Sequence, residues 1–227
     1  MDYAVFRLTK LKSLSALAGI SRHDKEREAL PYRAHPERSR DNYHLRPAGI
    51  YSPESTLPDR WRSRVGSQKI RKNAVYGYEI VLSFSPSAAA RIPVDSWARD
   101  SAQWLADSFG GPSNVLDISI HLDETTPHLH AVVVPVDSRG KLNARAFTGS
   151  RKQLSDLQTS YAEAVSSYGL SRGVRFYERP ERVFHESHHT YRARQQQAKD
   201  LSDDLSNVLQ SERIYQDITH NPRERSR

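Results

Sequence analysis

The 227-residue chain contains no cysteine. That absence excludes disulfides, thiolate metal ligands and a thiol nucleophile, so any metal must rest on His, Asp or Glu. No run approaches the ~18 apolar residues that a membrane helix needs. The opening MDYAVFRLTKLKSLSAL interrupts its apolar residues with charge too often for a signal-peptide core, and a soluble, cytoplasmic protein is expected. Acidic residues are in deficit: 34 Lys+Arg against 27 Asp+Glu leave a formal net charge of +7. Such a surface attracts polyanions, and charge alone does not choose nucleic acid over an anionic membrane surface. Apolar residues are sparse at 37%, yet sufficient for one large domain or a domain with an appendage. No internal repeat is present.

Periodicity outlines an α+β domain. Tyr3–Leu11 alternates as a short strand, and Ala74–Phe84, rich in β-branched and aromatic residues, as a clear one. Lys12–Leu30 is mixed, with His23 among charges. Pro31–Asp59 is rich in Pro, Arg, Asn and Ser without a period, and reads as a long functional loop. Pro93–Phe109 is a helix by the spacing of Val94, Trp97, Ala98, Ala102, Leu105 and Phe109, stopped by Gly110 and Gly111. Val115–Leu122 and His128–Val136 are strands joined by the turn DETTP, and Ser150–Tyr168 is a second helix ended by Gly169. Val174–Tyr177 reads as a last short strand. After residue 180 the composition turns polar and helix-prone, so residues 1–180 form the domain and 181–227 a helical tail or the start of a longer helical region. His185, His188 and His189 in that tail read as a solvated helix start.

Chemistry concentrates in SIHLDETTPHLHAVVVP. His128 and His130 stand two apart on a strand and so point to one face. On the preceding strand Val115, Asp117, Ser119 and His121 share a face, leaving Leu116, Ile118, Ile120 and Leu122 for the core. Opposed residues of an antiparallel pair share a face, so His121 joins the other two if it lies opposite either of them. A one-residue slip would turn it away. Three neutral imidazoles with an open position suit a divalent metal used as a Lewis acid. Glu124 in the turn is placed to orient a ring N–H or to serve as a fourth ligand, and the sequence leaves both open. Imidazoles alone do not separate Mn from Zn, Fe, Co or Ni.

His128-Leu129-His130 resembles the His-hydrophobic-His motif of the HUH endonucleases, and HLDETTPHLHAVVVP is similar to the metal motif of the Mob/Pre (MobV) plasmid relaxases. Further stretches agree in order: YAVFRLTKLKS, RHDKERE around His23, HPERSRDNYHL, IRKNAV and LNARAFTGSRKQLSDLQTSYAEAV. The resemblance covers residues 1–180. It implies a central antiparallel sheet flanked by helices with the metal hairpin at its centre, and a divalent ion, Mn or Mg foremost. It implies a bacterial enzyme that nicks one strand of a plasmid transfer origin, single-stranded at the nick. It also implies a homodimer through a helical C-terminal region.

Nicking in this class is a transesterification that leaves protein on the 5′ phosphate and frees a 3′-OH. Two nucleophiles are candidates: the phenol of Tyr43, and the imidazole of His23, nucleophilic near neutral pH without deprotonation. The resemblance favours His23. Arg71 and Lys72 are first choices to meet phosphate charge, and Arg27, Arg38 and Arg40 to grip flanking phosphates. Tyr32, Tyr51, Trp61 and Tyr76 are candidate platforms for unstacked bases, Trp104 less so, and Trp97 is expected in the core. Three rival readings share parts of this pattern: a rolling-circle replication initiator, a non-catalytic DNA-binding repressor, and a metallohydrolase of small phosphoesters.

Overall fold

The computed structural model describes residues 1–26, 35–45, 51–52 and 54–175, and five tail positions (Gln196, Gln197, Asp200, Ser202 and Ser206); over 21–26 it describes the backbone alone. The chain divides into two compact units, 1–175 and 176–227. All five described tail positions are helical, with i,i+4 bonds from Gln196 to Asp200 and from Ser206 back to Ser202. Val174 is exposed and in no strand, and the rest of the strand expected over 174–177 lies largely outside the described residues.

The first unit is built on six strands: β1 (Asp2–Leu11), β2 (Tyr43–His44), β3 (Gly77–Phe84), β4 (Val115–His121), β5 (His128–Val133) and β6 (Leu170–Arg172). They lie in the order β2-β4-β5-β3-β1-β6. Every pairing is antiparallel except the last, where β6 runs parallel to β1. The final strand therefore falls at Leu170–Arg172, after Gly169 turns the chain at φ 68°. Helices are α1 (Leu14–Glu26), α2 (Leu57–Val65), α3 (Val94–Ser108), α4 (Ala144–Thr148) and α5 (Arg151–Ala164).

Two apolar layers sandwich the sheet. On one face α3 and α5 set Trp97, Trp104, Leu105, Tyr161 and Val165 against Ile80, Leu82, Phe84, Ile118, Ile120 and Leu129. On the other, Leu17 and Ile20 of α1 and Leu57, Trp61 and Val65 of α2 cover Leu116, Val132, Val134 and Val136. Burying such side chains is the main drive for this packing, at ~25 cal/mol per Å² removed from water. α1 was not anticipated in the mixed stretch after β1, yet Leu14, Leu17 and Ile20 recur at three-residue steps, and the Ser13 hydroxyl accepts from Ala16 N at 3.1 Å. Thr56 and Ser150 cap α2 and α5 in the same way. The long loop expected over 31–59 thus holds a 3₁₀ turn at Pro36–Asp41, the strand β2 and the start of α2.

Strand β4 departs from the simple alternation. Val115 pairs with Val133 and Asp117 with Val132, so Leu116 is an extra residue in a bulge. The bulge exchanges the two positions: Val115 joins Ile118 and Ile120 in the first core, and Leu116 enters the second. All seven residues of β4 are buried, so the face carrying Asp117, Ser119 and His121 is covered as well. Asp117 is buried there with Arg60 of α2, Nη1 to Oδ1 at 2.7 Å, and the same nitrogen donates to Leu116 O at 2.8 Å. Burial pushes the Asp117 carboxyl up, but His44 and Arg60 together outweigh it and hold it below the usual aspartate range.

Removing one partner of a buried pair strands the other's charge. Asp117→Ala is expected to destabilise the domain by ~3–5 kcal/mol in urea unfolding at neutral pH. Because the folded-state value is lowered, the carboxylate's contribution is present above the unfolded value of ~3.9 and fades as pH falls through the lower folded value. Wild type and Asp117→Ala should accordingly converge in stability only in strong acid.

Candidate metal centre

The metal hairpin is β4–β5. In its register His121 lies opposite His128 and Ser119 opposite His130, so the three histidines stand on one face, the face packed by α1 and α2. One nitrogen from each lies within 4.8 Å of the others. Ring centroids are 5.1 Å apart for His121–His128, 4.8 Å for His121–His130 and 5.1 Å for His128–His130. His121 is buried at 1% exposure, while the His128 and His130 side chains retain 12% and 13%. The triad is therefore largely buried.

Ring orientations follow from the acceptors around them. His128 Nδ1 lies 3.0 Å from Thr126 O. A carbonyl only accepts, so Nδ1 carries the proton and the neutral ring offers Nε2 as its donor atom. Glu124 Oε1 lies 3.8 Å from that Nε2, which puts the carboxylate on the ligand side of the ring. Glu79 of β3, which the sequence reading passed over, lies 3.6 Å from His130 Nδ1. Its signal was available only as an acidic residue in an otherwise apolar strand. Three imidazoles with an adjoining carboxylate fit a divalent cation by donor chemistry.

The turn is clasped from outside. His35 N donates to Asp123 O at 2.7 Å and the Ser39 hydroxyl to Asp123 Oδ2 at 2.8 Å. Leu122 N donates to Asn42 Oδ1 at 2.7 Å. The stretch HPERSRDNYHL therefore holds the metal hairpin in register through Ser39 and Asn42, a task invisible in the sequence because its partners are some 80 residues away. The clasp then delivers β2, where His44 pairs with Ser119 on the histidine face. His44 Nδ1 lies 3.2 Å from Ser119 Oγ and 3.4 Å from Asp117 Oδ2.

Not every expected site residue comes to this face. Tyr43 pairs with Ile120 and packs into the α3–α5 core, on the opposite side of the sheet. Its hydroxyl donates to Asp95 at 2.6 Å. Burial first, then the hydrogen bond and charge of Asp95, raise its phenol well above the ordinary value, opposing formation of a phenolate. Arg71 and Lys72 are exposed in the turn before β3. Arg71 lines a cavity of about 520 Å³ with Lys69, Arg139, Lys141 and Arg145. That cavity opens at the Gly77 end of β3, whereas His130 pairs with Val81, four residues and ~13 Å further along the strand. The structure thus does not bring Arg71 or Lys72 to the histidines. Arg38 and Arg40 are exposed on the 3₁₀ turn of the clasp. Trp61 and Tyr76 stack on each other at 4.9 Å, Trp61 and Trp104 are buried, and Tyr51 lies under Arg60. His23 falls in α1, its side chain outside the described residues, as are Arg27, Tyr32 and the histidines at 185, 188 and 189.

The sheet is thus covered by helices on both faces, and three imidazoles converge from one of its inner hairpins. The family described as "Plasmid recombination enzyme" (Mob/Pre) matches residues 1–193. A "65 kDa protein" of Zymomonas mobilis is 33% identical over 181 residues, 77% of this chain and 30% of that protein. "Plasmid recombination enzyme type 3" of Staphylococcus aureus is 29% identical over 185 residues, 76% of this chain and 44% of that protein. The match therefore spans less than half the length of these relatives. Among solved structures, the MobM relaxase domain bound to plasmid pMV158 oriT DNA, with Mn, superposes with a TM-score of 0.71 at 26% identity, covering 84% of this chain and 98% of that one. The chain belongs to the Mob/Pre (MobV) family of plasmid relaxases.

His121→Ala should abolish Mn²⁺ binding in isothermal titration, and Glu79→Gln should weaken it about 10–100-fold, the usual cost of losing a carboxylate that orients a ligating imidazole. Equal affinity in Glu79→Gln and wild type would remove Glu79 from the site.

Proposed function

We propose that this chain nicks one strand of its plasmid's transfer origin by transesterification, with His23 as nucleophile. The observation that carries the reading is the histidine triad on the central hairpin of a fold shared with a relaxase domain that binds oriT DNA and Mn. His121, His128 and His130, with Glu124 beside them, would hold a divalent ion, Mn or Mg. When bound, that ion supplies Lewis-acid polarisation of the scissile phosphate and offsets the charge gathered on its oxygens.

The neutral imidazole of His23 attacks phosphorus. The bond from phosphorus to the 3′ oxygen breaks, and the oxygen leaves as a 3′-OH once it has taken a proton. The 5′ phosphate stays on the imidazole as a phosphoramidate. Attack by the 3′-OH on that adduct reverses the step and reseals the strand. The path of α1 supports His23. The helix follows the Gly77-paired end of β1 after a two-residue connection, Lys12–Ser13. Its buried residues Leu17 and Ile20 lie on the face that carries the histidines, and position 23 follows Ile20 by three residues. Against Tyr43 stand its opposite face and its raised phenol. The net charge of +7 favours the DNA encounter. No described helix is long and apolar enough to cross a membrane.

Supercoiled plasmid bearing the chain's own origin, incubated with Mn²⁺ or Mg²⁺, tests the proposal. Wild type is expected to relax it and remain on the 5′ end. His23→Ala should leave no adduct, and Tyr43→Phe should nick at close to the wild-type rate. Loss of the adduct in Tyr43→Phe alone would transfer the role to Tyr43. Binding without nicking, with any divalent metal, would leave a DNA-binding protein in place of an enzyme.

A further inference from the structure

Strand register aligns five residues in a single row across the histidine face. Arg7 of β1 pairs with Val81 of β3, and Val81 with His130 of β5. His130 pairs with Ser119 of β4, and Ser119 with His44 of β2. Paired residues share a face, so Arg7 and His44 stand on the side of the sheet that bears the triad, at either end of the row. Each lies two strand spacings from His130, ~10 Å.

Both ends are suited to phosphate. Arg7 is exposed, its neighbours on that face of β1 are Val5 and Thr9, and it has no acidic partner among the described residues. A guanidinium is always charged and presents a fork that matches phosphate oxygens. At the other end, Ser119 and Asp117 hold His44 by its Nδ1 edge, leaving the Nε2 edge for a ligand. The negative charge of Asp117 beneath it is offset by buried Arg60 at 2.7 Å, so an incoming phosphate meets no bare carboxylate. Towards the Gly77-paired end of the strands, the helices α1 and α2 close over the same face around Val132, Val134 and Leu116.

We propose that the nicked strand crosses the sheet along this row, with the scissile phosphate at the triad, Arg7 gripping a phosphate on one side of it and His44 one on the other. The proposal rests on the nicking reading for its substrate and adds the direction of the strand and two contacting residues. β6 pairs with β1 only over Asp2–Ala4, and an arginine on the open stretch beyond also discourages strand-to-strand aggregation, a role indifferent to any particular phosphate.

The test is equilibrium binding of single-stranded origin oligonucleotides in Mn²⁺, each with one phosphate near the nick replaced by an uncharged methylphosphonate. Wild type should lose about tenfold in affinity at one position on each side of the nick, the worth of one charge-assisted hydrogen bond. Arg7→Gln should lose little more at one of these positions, and His44→Gln little more at the other, the non-additivity expected of direct partners. Arg7→Gln should also lower the slope of log affinity against log salt by ~0.7 on the unmodified strand, with Arg7→Lys largely restoring it. Losses that add at every position, or both variants coupling to the same side, would overturn the row as the DNA path. Nicking by wild type, followed in parallel, reports on the underlying reading separately: a protein that binds with this pattern but never nicks keeps the path and loses the reaction.

Discussion

The three imidazoles converge only while His121 stays opposite His128. The side-chain period of a strand is two, so a slip of one residue in β4–β5 would send His121 into the α3–α5 core and leave two ligands behind. Much of the surrounding structure acts on that register. The bulge at Leu116 absorbs an extra residue upstream of the histidines. The backbone of His35 and the side chains of Ser39 and Asn42 hold the turn from outside. Arg60 reaches from α2 to both the side chain of Asp117 and the carbonyl of Leu116, fixing β4 at the bulge itself.

Polarity on a buried sheet face is costly unless every group finds a partner. The histidine face carries Asp117, Ser119, His44, Glu79 and three histidines where the opposite face is dominated by apolar residues. Arg60–Asp117 neutralises the deepest charge, and Asp117 and Ser119 in turn orient His44. The arrangement divides labour between the faces: α3 and α5 supply most of the packing, while α1 and α2 close one end of the polar face. The same division explains why Tyr43 and His44, adjacent in sequence, meet different fates. Successive residues of a strand point to opposite faces, and β2 gives the histidine face to His44.

Local signals were legible where one element carried them. The helix α3, the strands β3, β4 and β5, and the shared face of His128 and His130 follow from periodicity over a few residues. α1 escaped because Leu14, Leu17 and Ile20 sit among small residues and run directly into the charged stretch SRHDKE, and its burial comes from a sheet that the local window does not contain. The faces of Val115 and Leu116 were exchanged for a similar reason: a bulge is a property of two strands, and neither strand records it alone.

By itself, then, the sequence determined the α+β class, the Mob/Pre resemblance, the ligand chemistry available without cysteine, and the three histidines of the candidate metal site. Tertiary structure decided which neighbours serve them. Glu79, Ser39, Asn42, Asp117 and Arg60 became parts of the site through contacts across strands and helices far apart in the chain. Arg71, Lys72 and Tyr43 were carried away from it by the direction of β3 and the pleat of β2. Spacing along the chain reports on side chains that share one element, whereas the register between strands and the face each presents are settled only when the whole sheet is assembled and its two cores are filled.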